Sequence, residues 1–104
     1  MHAQLITYKL RDISVEQYTE QMVTPDSAYF AKIDTLVSKV WLADEATNSY
    51  GGFYLWVDQA AMTAFMSSDA VKTVMARPYL SDIASTDWPV NEPPSVLTRG
   101  VVTA

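Results

Sequence analysis

The chain of 104 residues predicts an α+β fold of ferredoxin-like order, an antiparallel sheet with helices on one face, and two such subunits forming a dimeric α+β barrel. Three observations carry this. Strand and helix patterns alternate in the order β-α-β-β-α-β. The central hairpin has consecutive apolar runs, Val40 to Leu42 and Phe53 to Val57, and is therefore apolar on both faces. Helices on one side of such a sheet leave its second face bare, and a bare apolar face needs a cover. A second copy is the expected cover. The alternative is a monomer whose C-terminal tail folds across the sheet, but nine or ten residues at about 3.3 Å each are too short to cover four strands.

Ala3 to Leu10 reads as the first strand, anchored by Leu5, Ile6, Tyr8 and Leu10. Ser14 then caps a helix. Gln17 completes a capping box, and Ile13 with Tyr18 has hydrophobic-staple spacing. Val15, Tyr18 and Met22 continue that pattern. Pro25 either kinks the helix or starts a second one after Thr24, and Tyr29, Phe30 and Ile33 carry the stripe on. Leu36 to Ala43 and Gly51 to Val57 are the hairpin strands. Asn48 to Gly52 is the expected turn, with Gly51-Gly52 free to take positive φ. Asp58 caps a helix with the stripe Ala61, Met62, Phe65 and Met66. Ser68 or Asp69 restarts a helix through Met75, and Pro78 closes it. Leu80 to Trp88 is the fourth strand. The prolines of "PVNEPP" stop it, since proline cannot donate to a ladder. Ser95 to Thr103 reads as a β-prone tail. No repeat or linker interrupts the chain, so residues 1–104 form one domain.

Composition narrows the function. The net charge of −5 and seven scattered basic residues argue against nucleic acid and against an anionic membrane surface. No run is long or apolar enough to span a membrane, and the N-terminus lacks signal-peptide character. With no cysteine, disulfides and thiolate metal sites are excluded, which fits a reducing compartment; a cytoplasmic location is expected. Apolar residues make up 49% of the chain and charged residues 18%, which hints at surface covered by a partner.

There is no Gly-rich phosphate loop, HExxH motif or nucleophile elbow. The only histidine, His2, stands at an end where chains fray. No flavin, heme or transition metal is expected. What remains is a set of aromatic and thioether side chains. Trp41, Tyr54 and Trp56 lie on the hairpin. Tyr18, Met22, Tyr29 and Phe30 lie on the first helical stretch, and Phe65 and Met66 on the second. Between helices and sheet they form either core or the lining of a cavity for a flat, small aromatic or apolar ligand. Lys39 is either an oxyanion partner or a rim or dimer salt bridge. Asp44 and Glu45 fall near the turn, in solvent. Asn91 suits a turn, and Glu92 can satisfy backbone or a partner's cation.

Lys39-Val40-Trp41, Glu45, Gly51-Gly52-Phe53-Tyr54-Leu55, Asp58 and Val90-Asn91-Glu92-Pro93, with Pro25 fourteen residues before the lysine, together resemble the pattern of the YdhR-like putative mono-oxygenases. The resemblance runs from the first helix to the start of the tail and implies the dimeric α+β barrel superfamily. It implies a cofactor-free mono-oxygenase acting on a small aromatic or polyketide-like molecule. In such enzymes the substrate is the reductant: it loses a proton, and its carbanion passes an electron to dioxygen. By this resemblance the catalytic candidates are Trp41, a wall and N–H donor, and Tyr54, a hydroxyl donor. Tyr18, Met22, Tyr29, Trp56 and Phe65 would bind substrate. The superfamily's pocket asparagine and arginine have no motif match here, Arg77 and Asn91 being the available types. A non-catalytic binding protein of the same fold, or a polyketide cyclase or isomerase, is the alternative.

Overall fold

In a computed structural model, which describes residues 1–101, the elements follow the predicted order. Strand β1 is His2–Leu10. Helix α1 (Val15–Tyr18) runs through a π-helical turn, Thr19–Val23, into α2 (Thr24–Phe30). Strands β2 (Leu36–Asp44) and β3 (Ser49–Trp56) form the hairpin. Helices α3 (Gln59–Met66) and α4 (Asp69–Met75) lead to β4 (Leu80–Pro89), and α5 (Glu92–Leu97) follows. The sheet order is β2-β3-β1-β4, with every pair antiparallel.

Local chemistry explains the helix starts. Ser14 and Gln17 form the reciprocal capping box, the side chains of Asp58 and Ser68 accept from Ala61 and Val71, and Pro25 sits in the first turn of α2. Val23 and Thr24 are also helical, so the helix is continuous through Pro25, and the wider π turn just before it accommodates the N–H that Pro25 lacks.

Alternation along β1 sorts the sheet into two faces. His2, Gln4, Ile6 and Tyr8 are buried on the helix side. Tyr50, Tyr54 and Trp56 of β3 join them, and with Tyr18, Met22, Phe30, Met62, Phe65, Val71 and Leu80 they make one core cluster. On the opposite face the register aligns Val40 with Phe53, Phe53 with Leu5, and Ala3 with both Leu55 and Trp88. Here Val40, Leu42, Phe53 and Trp88 remain exposed.

Two bulges break strict alternation. In β2 the register shifts between Leu36 and Ser38, leaving Val37 as the extra residue. Leu36, opposite Trp56, and Lys39, opposite Tyr54, then share the helix side although they are three apart. In β4 the shift falls near Asp82, whose φ is 52°, and Leu80 and Ile83 both turn inward.

Three expectations need correction. The hairpin turn is Glu45–Asn48, with Asn48 at φ 51°, and Gly51-Gly52 lies inside β3. Asn48 can take the left-handed conformation, and its side chain bonds the backbone of Leu10, so it supplies the turn that the glycines were expected to make. The tail is helical rather than β from Glu92 to Leu97, because Pro93-Pro94 falls in the first turn behind Asn91 and the Ser95 carbonyl accepts from Gly100 at 2.8 Å; the end of the expected strand lies outside the described residues. His2 is not frayed: it is buried in β1, with Nε2 2.6 Å from the Asp87 carboxylate.

Candidate functional site

Between the helices and the sheet lies a cavity of about 250 Å³. The sheet contributes Ile6, Tyr8, Lys39, Tyr54, Leu80 and Ile83. Met22, Asp26, Tyr29 and Phe30 come from the first helical stretch, Phe65 from α3, and α4 with the loop after it closes the rest from Ala70 to Arg77. A wall this apolar favours a flat, largely carbon guest.

Of the residues expected to bind or react, Tyr54, Met22, Tyr29 and Phe65 line this cavity. Trp41, Tyr18 and Trp56 do not. Trp41 faces a shallower groove of about 270 Å³ with Phe30, Leu36 and Lys39. Trp56 is fully buried behind Phe65 (5.0 Å between ring centroids) and donates to Gln4 Oε1 at 3.0 Å. Tyr18 packs against Tyr50, its hydroxyl 2.6 Å from that of Tyr8. Trp56 is wholly enclosed, whereas Phe30, at the centre of contacts to Trp41, Tyr54 and Phe65, also lines the cavity.

Lys39 is the residue the aromatic pattern understated. Its Nζ stands 3.5 Å from the ring centroids of both Phe30 and Trp41, and 4.6 Å from that of Tyr54. Among the described residues it makes no hydrogen bond or salt bridge, so the expected rim ion pair does not form within the single chain. Burial pushes this amine down from 10.5 to about 7, partly opposed by the charge of Asp26. The surrounding π faces also favour the ammonium. These opposing influences keep both protonation states accessible near neutral pH. Gly52 makes the room: a Cβ there would lie 2.7 Å from Lys39 Cε. Gly51, at φ 151°, sits where a Cβ would meet the Ile6 carbonyl oxygen, so the "GG" pair serves a close strand approach and a lysine stem.

Arg77 closes one side of the cavity. It donates to both carboxylate oxygens of Asp26, at 3.1 and 3.3 Å. Burial alone would lower the Arg77 pKa, but the bonds and charge of Asp26 outweigh it and hold it above its usual value. Asp26 is thereby occupied, which leaves Lys39 as the unpaired cation of the lining. Burial raises Tyr8 and Tyr54, so both phenols keep their protons at neutral pH. The sequence signals for Asp26 and Arg77 were weak, because their partnership spans 51 positions. Asn91 lies away from the cavity as the N-cap of α5, and Asp44 and Glu45 are exposed at the turn. Among the described residues no three His, Asp or Glu side chains cluster as metal ligands would.

Residues 5–101 match the family described as "Putative mono-oxygenase ydhR". No curated protein matches the chain. Among solved structures, a putative antibiotic biosynthesis monooxygenase from Deinococcus radiodurans superposes with a TM-score of 0.72 at 14% identity, covering 88% of this chain and 94% of that one. SnoaB, a cofactor-independent oxygenase from Streptomyces nogalater, gives 0.66 at 16% identity, covering 88% and 93%. MhuD, in a mutant form with two manganese protoporphyrin IX molecules per active site, gives 0.57 at 10% identity, covering 88% and 95%. At these identities the likeness is one of fold.

Proposed function

The chain belongs to the YdhR putative mono-oxygenase family, and on that premise we propose that it is a cofactor-independent mono-oxygenase for a small aromatic or polyketide-like substrate held between helices and sheet. The observation that carries this reading is the unpaired Lys39 amine of a largely apolar cavity whose other charged residues, Asp26 and Arg77, are paired with each other. A neutral amine there takes the proton of a phenol or an activated C–H. The ammonium that results stays beside the substrate anion, where low polarity strengthens their attraction. The Tyr54 hydroxyl, on the strand opposite Lys39, donates to the developing oxyanion. The carbanion gives one electron to dioxygen, the radical pair combines to a peroxide anion, the Lys39 ammonium returns its proton to give the hydroperoxide, and loss of water leaves a carbonyl. Met22, Tyr29 and Phe65 hold the substrate's faces. Trp41 acts behind Lys39, fixing its stem, and Tyr18 and Trp56 brace the rings that form the wall.

The working unit is a homodimer, supported by the four exposed apolar side chains on the sheet face opposite the helices. The two copies would bury about 1,200 Å² or more in total. No helix among the described residues is long and apolar enough to cross a membrane. The cysteine-free sequence supports a reducing, cytoplasmic setting.

The test is oxygen uptake, with quinone absorbance, across a panel of anthrone-like and naphthol-like substrates. Turnover without added metal or flavin is expected. Lys39→Met should lower kcat by about 10²-fold or more, and Tyr54→Phe by less. Tight binding of the panel with no oxygen consumed would replace the oxygenase reading by that of a binding protein.

A further inference from the structure

Four lysines occur in the chain, and three of them, Lys9, Lys32 and Lys72, are exposed. Lys39 differs in every respect that matters to an amine's reactivity. Its Nζ is enclosed by three rings and has no hydrogen-bond acceptor among the described residues. The carboxylate that also lines the cavity, Asp26, is held by both Arg77 nitrogens. The cavity that Lys39 helps to line is large enough for a small planar guest. Tyr54, directly across the β2–β3 register, carries a protonated phenol on the same wall. An unpaired amine, an apolar chamber and a neighbouring acid are what reversible capture of a carbonyl compound requires.

We propose that Lys39 is a carbonyl-capturing residue whose Nζ forms an imine with a small planar aldehyde or ketone seated in the helix–sheet cavity. The Nζ lone pair attacks the carbonyl carbon, and the oxygen becomes the hydroxyl of a carbinolamine. Protonation of that hydroxyl, with Tyr54 as the acid on the wall, lets water leave as the C=N bond forms. No electrons are gained or lost. Protonated, the imine is a cation within the same three rings that surround the ammonium, so the cage that holds the free amine also holds the product. Hydrolysis reverses the step. The lowered amine pKa adds to the geometry, because a lysine near 7 is about half unprotonated at neutral pH whereas an ordinary one is almost wholly charged. This activity goes beyond the oxygenase reading and needs no dioxygen.

The experiment is anaerobic labelling of the folded protein at pH 7 with cinnamaldehyde and sodium cyanoborohydride, which reduces an imine to a stable amine. Intact mass and peptide mapping read the sites. One adduct per chain on Lys39 is expected, forming at least about tenfold faster than on Lys9, Lys32 or Lys72. The Met1 amine, bonded to Glu92 at 2.9 Å, is the internal competitor and should label more slowly than Lys39. Lys39→Met should lose the fast adduct and keep the slow ones. If that variant does not fold, site mapping in the unaltered protein decides alone. Labelling spread over the exposed amines with Lys39 no faster would overturn the proposal. Because oxygen uptake is assayed separately, loss of the oxygenase reading leaves this result standing, and the reverse also holds.

Discussion

The two faces of the sheet begin from similar residues and reach opposite ends. On β2, Lys39 and Trp41 turn toward the helices while Val40 and Leu42 turn away. On β3, Tyr54 and Trp56 are buried while Phe53, between Gly52 and Tyr54, is 41% exposed. The helix face therefore holds an unpaired cation among rings, and the opposite face holds a patch of exposed aliphatic and aromatic side chains, Val40, Leu42, Phe53 and Trp88. A charge enclosed by structure can be tuned for chemistry. An apolar patch open to water gains most by meeting another surface.

The tryptophans give the sharpest contrast. Trp56 is fully buried on the helix face, and Trp88 is 49% exposed on the other. Trp56→Ala should lose about 3–5 kcal/mol in urea unfolding, from cavity formation and a stranded Gln4 partner. Trp88→Ala should barely change unfolding within one chain but should weaken self-association. Equal losses from the two substitutions would erase the distinction between core and interface.

Phe53→Asp places a charge at the centre of the open face. It should weaken dimerisation by about 2 kcal/mol or more, shifting sedimentation at micromolar concentration toward the 11.6 kDa chain. If the unaltered protein already sediments as one chain, the face has some other cover.

A third contrast is in pH. Between about 7 and 10.5 the unfolded chain holds a proton on Lys39 that the folded chain has released. Stability from this group therefore rises with pH across that window, and the cost of enclosing the charge is fully present below it. Lys39→Met should be more stable than the unaltered protein at pH 6.5, and its advantage should shrink by pH 9. An advantage independent of pH would mean that the rings, rather than desolvation, set the amine's state. Substitutions on the open face should show no such dependence.

Gly52→Ala is the mildest change. The added Cβ meets the flexible end of the Lys39 stem and stands 3.2 Å from the Tyr54 ring, so stability should fall by about 1 kcal/mol while carbonyl labelling and oxygen uptake fall together. Unchanged labelling would show that Nζ finds its position without that space.

Much of this molecule is legible in the residues alone. The order of elements, the capping box at Ser14 and Gln17, the caps at Asp58 and Ser68, and the two apolar faces of the hairpin all follow from local preference and periodicity. The family pattern was legible too, in lysine, tryptophan and glycine positions whose purpose the sequence did not disclose. The tertiary structure decided which side of the sheet each residue serves. A strand apolar on both faces tolerates either parity, so its pattern does not reveal a bulge. One extra residue at Val37 turned Lys39 and Trp41 inward, and another shift near Asp82 brought Leu80 and Ile83 to the same cavity. The pairing of Asp26 with Arg77, which leaves Lys39 unmatched, also joins parts of the chain that only folding brings together. Local sequence thus determined the elements, while register and long-range pairing determined the site, because both depend on which neighbour each strand and helix meets.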